Sequence, residues 1–463
     1  MNELHDLTAL EQGDAVRRGE VSPRELAAHY VARADDVGAF VTRTPDLALE
    51  RAATLLPRPD DAGPLYGVPT AIKDLNLTAG VRTTFGSAAF ADFVPDVSDA
   101  VTEAIERAGM VSLGKTSTPE FGSPCYTEPE GLPPAVTPWD RTRMAGGSSG
   151  GAAAAVAAGL VPVAQGSDGG GSIRIPASCC GLVGLKPTRG RVSGYPMYGE
   201  VTGLATAGTL ARTVRDAAAL LDVLAGPRVG DPSWAPPPAS SFLAMCEREP
   251  GRLRIARFVE PVIADVQVDP ECVGAWETAS GLLASLGHDV VDVAVPMPRE
   301  AVRTFETCWA VLTALSVVPP EQEPLLRPLT RWLTERGRAA SGPEFGLALG
   351  AMRRYAAACL VTLAPYDAVL TPTLATPPLP VGALRNDDDP AADFEAQKAF
   401  TPWTSAWNVT GMPAVSLPLH RTSQGLPVGV MLAARPTEEN VLLSLSAQIE
   451  TAAPWAGRHP PGW

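Results

Sequence analysis

The sequence predicts an α/β fold with a largely parallel or mixed β-sheet, and three repeats of one local pattern predict it. In each repeat, small or apolar residues at helical spacing are followed, after a glycine, by a short apolar run typical of a strand. Strands that alternate with helices in this way form a sheet covered by those helices. The helix and strand pairs are residues 98–108 with 110–113, 152–158 with 160–164, and 269–287 with 288–295.

Both ends of the chain carry further signals of regular structure. Ser22 and Glu25 form a capping box, and Pro23 occupies the first helical position. Residues 1–60 are therefore expected to be a helical segment that packs on the core. The remaining predicted elements are strands at 253–258, 414–419 and 428–433, a helix at 438–449, and exposed proline-rich loops at 236–238 and 377–390.

Composition argues against several classes of protein. The 463 residues carry a net charge of −14, and nucleic-acid binding requires clustered Lys and Arg instead. No apolar run is long enough to span a bilayer, and the first 13 residues include three acids without an apolar block, so neither a membrane anchor nor a signal peptide is predicted. Seven cysteines without a CxxC motif are expected to be reduced thiols in a cytoplasmic protein.

The stretch from 146 to 190 holds two candidate catalytic serines. Ser148 and Ser172 each follow a glycine, and Asp168 precedes a run of three glycines that leads into Ser172. A glycine permits positive φ and a close approach of the backbone to a bound group, so each serine can be presented at the bottom of a cleft. The alternative is an ordinary Gly/Ser turn at each position, but the presence of both favours a site.

Two other interpretations of the glycine-rich stretch find less support. The phosphate-loop pattern GxxxxGK[ST] and the dinucleotide pattern GxGxxG at a strand-to-helix turn are both missing from it. Residues 146–150 do satisfy the GxSxG pattern of a nucleophile elbow, which also needs a histidine downstream. His288 follows a helix-ending glycine and His459 lies in a proline-rich tail, so His420 is left as a weak candidate base.

A buried lysine is the other candidate base, because Ser–Lys pairs are a known variant of the catalytic triad. Lys73 ends an apolar, strand-like run that would carry it inward. The alternative is a surface lysine paired with the adjacent Asp74. Side chains alternate along a strand, so we expect Asp74 to point to the opposite face and burial to lower the pKa of Lys73.

These residues resemble the amidase signature family of hydrolases. The spacings of 75 residues from Lys73 to Ser148 and 24 from Ser148 to Ser172 agree with that family. The resemblance extends over residues 7–454 and is loosest over 227–406. The motifs that carry it are GVPTAIKD around Lys73, LGKTSTPEFG at 113–122, TPWD before Arg141, GGSSGG and SDGGGSIRIPAS around the serines, and GLVGLKPTRGRVS at 181–193.

The resemblance implies a three-layer α/β/α sandwich around a large mixed β-sheet. Residues 1–463 would form a single amidase domain in which 227–406 is the more variable substrate-pocket region. The implied activity is hydrolysis of the C–N bond of a linear, non-peptide carboxamide through an acyl-serine intermediate. The implied partner is a small amide, with no cofactor and a homodimer left open. The alternative is an amidotransferase subunit that releases ammonia from glutamine for a partner protein, which the loose central match and the lack of a basic run disfavour.

The resemblance also assigns roles to individual residues. Ser172 would be the nucleophile, Ser148 the bridging serine after a cis Gly147–Ser148 peptide, and Lys73 the base. Backbone N–H groups of Gly169, Gly170, Gly171 and Ser172 would form the oxyanion hole. Supporting hydrogen bonds are expected from Ser149, Asp168 and Arg174, with a structural ion pair the favoured role for Arg174. The expected pocket residues are Gly122, Ser123, Cys125, Tyr126, Trp309 and Trp407, although the tryptophans also suit a core.

Two departures from the family pattern concern the pocket and its support. Ser117 stands where the family often has asparagine, which affects a supporting hydrogen bond. Residues 123–126 stand where it commonly has a glycine-rich stretch, and this change is expected to reshape the acyl pocket. No metal is expected either, because the three aspartates at 387–389 lack a histidine or regular ligand spacing and suit a solvated turn.

Overall fold

The computed structural model describes residues 3–56, 58–197 and 200–463. The strands are β1 Phe40–Arg43, β2 Pro69–Lys73, β3 Val111–Thr116, β4 Val163–Asp168, β5 Val183–Lys186, β6 Thr206–Ala211, β7 Arg254–Arg257, β8 Asp289–Asp292, β9 Ala368–Pro372, β10 Ala414–Arg421 and β11 Pro427–Ala434. The helices are α1 Ala9–Arg17, α2 Pro23–Val31, α3 Pro45–Ala53, α4 Ala100–Arg107, α5 Gly150–Ala157, α6 Arg174–Cys180, α7 Val214–Leu224, α8 Phe242–Met245, α9 Pro270–Ser285, α10 Ala301–Ala314, α11 Pro328–Ala339, α12 Gly342–Leu363, α13 Pro390–Phe400, α14 Ala406–Val409 and α15 Glu439–Ala452. None of the described helices is both long and apolar enough to cross a bilayer.

Eight strands form one mixed sheet in the order β4-β6-β5-β10-β11-β9-β7-β8. The two pairs β9–β7 and β7–β8 are parallel, and the five other neighbouring pairs are antiparallel. The predicted mixed sheet is confirmed, whereas a largely parallel one is wrong. A short turn joins β10 to β11, and strands joined so closely can only pair antiparallel.

Helices cover both faces of this sheet, which gives three layers. Side chains alternate along β11, so Val430 and Leu432 face one way and Met431 and Ala433 the other. The first pair packs in a cluster with residues of α7, α9 and α15. The second pair packs in a cluster with residues of α10, α12 and α14. The predicted α/β/α sandwich is confirmed.

A second sheet of three strands, in the order β1-β3-β2, lies beside the free edge of β4. Two side-chain bonds join β2 to β4. Thr70 Oγ1 donates to the Val163 carbonyl at 3.0 Å. The backbone N–H of Lys73 donates to Gln165 Oε1 at the same distance. These bonds hold the end of β2, and therefore Lys73, next to the end of β4.

The predicted elements are largely confirmed within a few residues. Ser22 and Glu25 make the expected capping box on α2. The strand expected at 160–164 begins later, at Val163, because Pro162 lacks the N–H that a paired strand donates. Residues 1–60 include β1 as well as three helices, and α1 is tied to α7 by Asp216, which accepts from the N–H groups of Ala9 and Leu10. The loop expected at 377–390 ends one residue earlier, because Pro390 begins α13.

Candidate active site

Two adjacent loops carry the serines. Ser148 lies just before α5, and Ser172 lies between β4 and α6. The backbone N–H of Ser149 donates to the carbonyl of Ser172 at 3.1 Å, which fastens one loop to the other. The Gly147–Ser148 peptide bond is cis, as the family resemblance implied. Ser148 is 2% exposed and Ser172 is 7% exposed, so both are buried.

Lys73 is fully buried beneath these loops. Its Nζ lies 2.8 Å from Ser148 Oγ, 2.9 Å from Ser149 Oγ and 3.0 Å from Ser167 Oγ. Burial lowers the pKa of Lys73 to about 7, although the Asp168 carboxylate acts in the opposite direction. A pKa lowered this far makes the neutral amine accessible near pH 7, and a neutral amine can accept a proton.

The hydrogen bonds around Lys73 orient its lone pair. Ser149 Oγ donates to the carbonyl of Ser167 at 3.1 Å, so towards Lys73 it acts as an acceptor. A neutral amine has two N–H donors and one lone pair. When Ser149 and Ser167 accept the two N–H bonds, the lone pair is directed at the hydroxyl of Ser148.

Asp74 is not the partner of Lys73. Its Oδ2 accepts from the Thr84 hydroxyl at 2.5 Å, and its Oδ1 lies 3.5 Å from the amine of Lys115. The interpretation of Lys73 as a surface lysine paired with Asp74 is therefore wrong. Strand alternation places the two side chains in separate environments, as expected.

The glycine run before Ser172 offers three backbone donors rather than four. In the described part of the chain, the N–H groups of Gly169, Gly170 and Ser172 have no hydrogen-bond acceptor, whereas that of Gly171 donates to Asp168 Oδ1 at 2.8 Å. Gly171 has a φ of +132°, and a Cβ there would lie 2.4 Å from Thr404 Oγ1. We expected the Gly171 N–H to belong to the oxyanion hole, but it donates to the Asp168 carboxylate instead, and this bond fixes the turn.

A buried ion pair holds this loop. Arg174 Nη2 and Nε each lie within 2.9 Å of Asp168, and Arg174 also donates to the Thr404 carbonyl and to Asn408 Oδ1. Burial raises the pKa of Asp168, but Arg174, Lys186 and Asn408 outweigh it and hold that pKa at about 2. Arg174 is completely buried, so it supports the loop as expected and is not presented to the cleft.

Replacing Arg174 with alanine is expected to lower the free energy of unfolding by about 3–5 kcal/mol, because Asp168 would be left as an unpaired buried charge. Denaturant melts measure this change. Arg141→Ala, which breaks an exposed ion pair with Asp36, is the control and should cost less than about 1 kcal/mol. A stable Arg174→Ala protein that has lost only substrate binding would contradict the structural role.

A small cavity of about 60 Å³ opens beside Ser172. Three of the expected pocket residues, Ser123, Cys125 and Trp309, line it, and Trp309 Nε1 donates to Ser123 Oγ at 3.2 Å. The other residues in its wall are Gly170, Ile175, Ile263, Phe305, Phe394, Gln397, Lys398, Thr401 and Ser405.

Three expected pocket residues lie elsewhere. Tyr126 is buried and its hydroxyl donates to Asp393 Oδ2 at 2.6 Å. Trp407 is 1% exposed and belongs to the core beside the sheet, the alternative weighed for the tryptophans. Gly122 does not line the cavity, but a Cβ there would lie 3.2 Å from Ser148 Oγ, so it leaves room for that serine.

The histidines weighed as alternative bases lie away from the serines, and the cysteines are poor nucleophiles. His420 pairs with Glu271 at 3.0 Å, and His288 bonds to Leu253 and Gln448. All seven cysteines are buried free thiols, as predicted. Burial raises the pKa of the Cys179 and Cys180 thiols, which makes them poor nucleophiles.

One cluster of described residues could share a metal ion, and it lies at the N-terminus. The ligand atoms of Glu3, His5 and His29 lie within 4.8 Å of one another. A guanidinium nitrogen of Arg33 lies 3.1 Å from both ring nitrogens of His5, and this positive charge opposes a cation. The aspartates at 387–389 are exposed, and Asp389 caps α13.

Sequence reasoning missed three residues that shape the site. Ser167 is the third partner of the Lys73 amine, and Asn408 and Thr404 anchor the Asp168–Arg174 pair from α14 and the segment before it. The sequence did offer an indication for Ser167, because it is a polar residue near the end of the otherwise buried strand β4. No local pattern indicated Asn408 or Thr404, because they approach the loop from more than 200 residues away.

Comparisons with known proteins give one consistent result. A family model described as Amidase matches residues 25–443. The 6-aminohexanoate-cyclic-dimer hydrolase of Paenarthrobacter ureafaciens is 37% identical over 485 residues, covering 98% of this chain and 96% of that protein. A solved structure of 6-aminohexanoate cyclic dimer hydrolase complexed with substrate gives a TM-score of 0.92 at 33% identity over 99% of both chains. A bacterial aryl acylamidase gives a TM-score of 0.88 at 27% identity, covering 98% of this chain and 97% of its own.

Proposed function

Because this chain belongs to the amidase signature family, we propose that it hydrolyses the C–N bond of a carboxamide through a covalent acyl-serine intermediate. One observation carries the proposal. Lys73, with a pKa lowered to about 7 by burial, contacts Ser148 at 2.8 Å in the loop fastened to that of Ser172. A buried neutral lysine with serine hydroxyls as its partners can activate a nucleophile where no histidine is at hand.

Acylation would begin with attack by Ser172 Oγ on the amide carbonyl carbon. The Ser172 proton passes to Ser148 Oγ while the Ser148 proton passes to Lys73 Nζ. The negative charge that develops on the carbonyl oxygen is stabilised by the N–H groups of Gly169, Gly170 and Ser172. Return of the proton through Ser148 to the nitrogen expels the amine and leaves an acyl ester on Ser172.

Deacylation repeats these steps with water as the nucleophile. Lys73 again accepts a proton through Ser148, and the products are a carboxylate and the regenerated serine. Ser172 Oγ makes no hydrogen bond within the described residues, so contact between Ser148 and Ser172 has to form when substrate binds. Catalytic hydrogen bonds commonly tighten only in the substrate complex.

The cavity beside Ser172 is proposed as the acyl site. The aromatic residues Phe305, Trp309 and Phe394 in its wall are suited to an uncharged acyl group, and its volume of about 60 Å³ favours a short chain. The one cation in its wall, Lys398, is paired with Glu306 and Glu395 at 2.5 and 2.7 Å, which leaves no free positive charge for a substrate carboxylate. This feature also disfavours glutamine, the substrate of the amidotransferase alternative.

Replacing Trp309 with alanine is expected to shift the preference towards longer acyl chains. Trp309 stacks on Phe305 at 5.4 Å and forms one wall of the cavity. Hexanamide should gain relative to acetamide by about tenfold or more in kcat/KM, the range that one or two methylene groups give in an apolar pocket. An unchanged ratio in a variant with wild-type melting temperature would place the acyl group elsewhere.

Turnover of an amide panel by the purified protein tests the proposed activity. The panel combines aliphatic, aryl, dicarboxylic and peptide amides with one cyclic amide, because a similar protein is named for a cyclic dimer. Hydrolysis without any partner protein is the expected result. Activity on glutamine that appears only with a copurifying partner would favour the amidotransferase alternative. We further propose that residues 1–463 act as one amidase domain, since the family model matches across 25–443.

A further inference from the structure

A second cavity, of about 260 Å³, lies on the other side of the loop of residues 169–172, called here the oxyanion loop. Ser167 lines it, and Ser167 Oγ is 3.0 Å from the Lys73 amine. Leu75 lines it as well and approaches Ser148, since a Cβ on Gly122 would lie 2.6 Å from Leu75 and 3.2 Å from Ser148 Oγ. This cavity therefore adjoins the lysine and bridging serine, whereas the smaller cavity adjoins Ser172.

The oxyanion loop separates the two cavities. A Cβ on Gly169 would lie 3.5 Å from Trp309, in the wall of the small cavity, and 3.9 Å from Ala205, in the wall of the large one. In the proposed reaction, the proton that releases the amine comes back through Ser148. The leaving nitrogen therefore faces Ser148 and Lys73, and the group attached to it extends into the large cavity.

The walls of the large cavity carry an excess of negative charge. Three carboxylates line it, those of Asp99, Glu200 and Asp231, against one guanidinium, that of Arg189. Backbone N–H groups hold each carboxylate in place. Arg189 donates to the carbonyls of Gly203, Asn408 and Val409, so its donors are largely used within the protein.

Two cations close to these walls already have carboxylate partners. Lys115 is paired with Asp74 at 3.5 Å, and Arg228 with Glu103 at 2.5 Å. An amine product with a second ammonium group would be attracted to these walls, whereas one with a carboxylate would be repelled.

We propose that the cavity beside Ser167 binds the leaving amine and selects amines that carry a second positive charge. The substrates so defined are N-acyl diamines with a short, uncharged acyl group. This inference rests on the proposed amide hydrolysis, because it uses the direction in which Ser148 returns the proton.

Three probes of matched length test the proposal: N-acetylcadaverine, N-acetylhexylamine and N-acetyl-6-aminohexanoate. They place a cation, a methyl group and an anion at the same position of the leaving group. We expect kcat/KM to fall in that order, by about tenfold or more from the cation to the anion. The difference in kcat/KM should become smaller as added salt screens the charges in the cavity walls. Equal rates, or a preference for the anion, would overturn the inference.

Variants that each remove one negative charge test whether the preference for a cationic leaving group arises in the cavity. Glu200→Gln and Asp231→Asn keep a carbonyl oxygen as acceptor and should each reduce the cation-to-anion ratio by about threefold or more. Glu249→Gln removes one charge from an exposed position outside the cavity and should leave the ratio unchanged. If Glu249→Gln changes the ratio as much as Glu200→Gln does, the preference reflects the net charge of the whole protein, and the cavity is not the cause.

Failure of this inference can be told apart from failure of the proposed function. If none of the three probes is hydrolysed while an activated ester still acylates Ser172, the acyl-enzyme proposal stands and the diamine inference falls. If no ester acylates Ser172 either, the proposed function itself is wrong.

Discussion

Replacement of Ser172 by alanine is expected to reduce kcat/KM for amide hydrolysis by a factor on the order of 10⁶, the size seen when a serine nucleophile is removed from a hydrolase triad. Ser172 lines the small cavity and lies in the same turn as the free N–H groups of Gly169 and Gly170, so we expect it to form the acyl ester. The small hydroxyl-to-hydrogen change should leave the melting temperature near that of the wild type, which separates lost chemistry from lost folding.

Covalent labelling tests directly whether Ser172 is the nucleophile. Incubation of the wild-type protein with an activated ester should add one acyl mass to the peptide that contains Ser172, and Ser172→Ala should remain unlabelled. The neighbouring Cys125 is the matched control, since burial raises the pKa of its thiol well above the usual range. A label on Ser148, or on any cysteine of the wild-type protein, would assign the nucleophile elsewhere.

Local patterns in the sequence predicted most of the individual elements but not how the strands pair. The run after Gly287 shows that β8 is a strand, and its parallel pairing with β7 follows from the intervening helix α9. One antiparallel neighbour of β5, the strand β10, comes from a distant part of the chain. Such pairings depend on contacts that leave no mark in the local periodicity, so the predominance of antiparallel pairs could not be foreseen.

Most of the candidate site could be predicted because its residues lie in ordered motifs. Lys73 contacts Ser148, the loop of Ser148 is bonded to that of Ser172, and the burial of Lys73 agrees with the apolar run that precedes it. The use of the Gly171 N–H by Asp168 could not be predicted, because one hydrogen bond in a tight turn decides it. The sequence also could not show whether Trp407 lies in the core or lines the pocket, because both positions have the same local sequence pattern.

Lys73→Met is expected to reduce kcat/KM by about 100- to 10,000-fold, the usual contribution of a positioned general base. Methionine has a similar volume but no proton acceptor, so the buried site stays filled. Lys73→Arg should be as inactive, because its guanidinium stays protonated across this pH range. Lys186→Met is the matched control: burial also lowers the pKa of Lys186 to about 7, but its amine contacts the Pro187 carbonyl rather than a serine.

The pH profile of the wild type should identify Lys73 as the base. Only the neutral amine accepts a proton, so protonation below a pKa of about 7 removes the active form. kcat/KM is therefore expected to rise by about tenfold per pH unit below pH 7 and to level off above it. The Lys186→Met control should show the same rise of kcat/KM below pH 7, whereas the residual activity of Lys73→Met should not. A rise that persists in Lys73→Met would show that another group is the base.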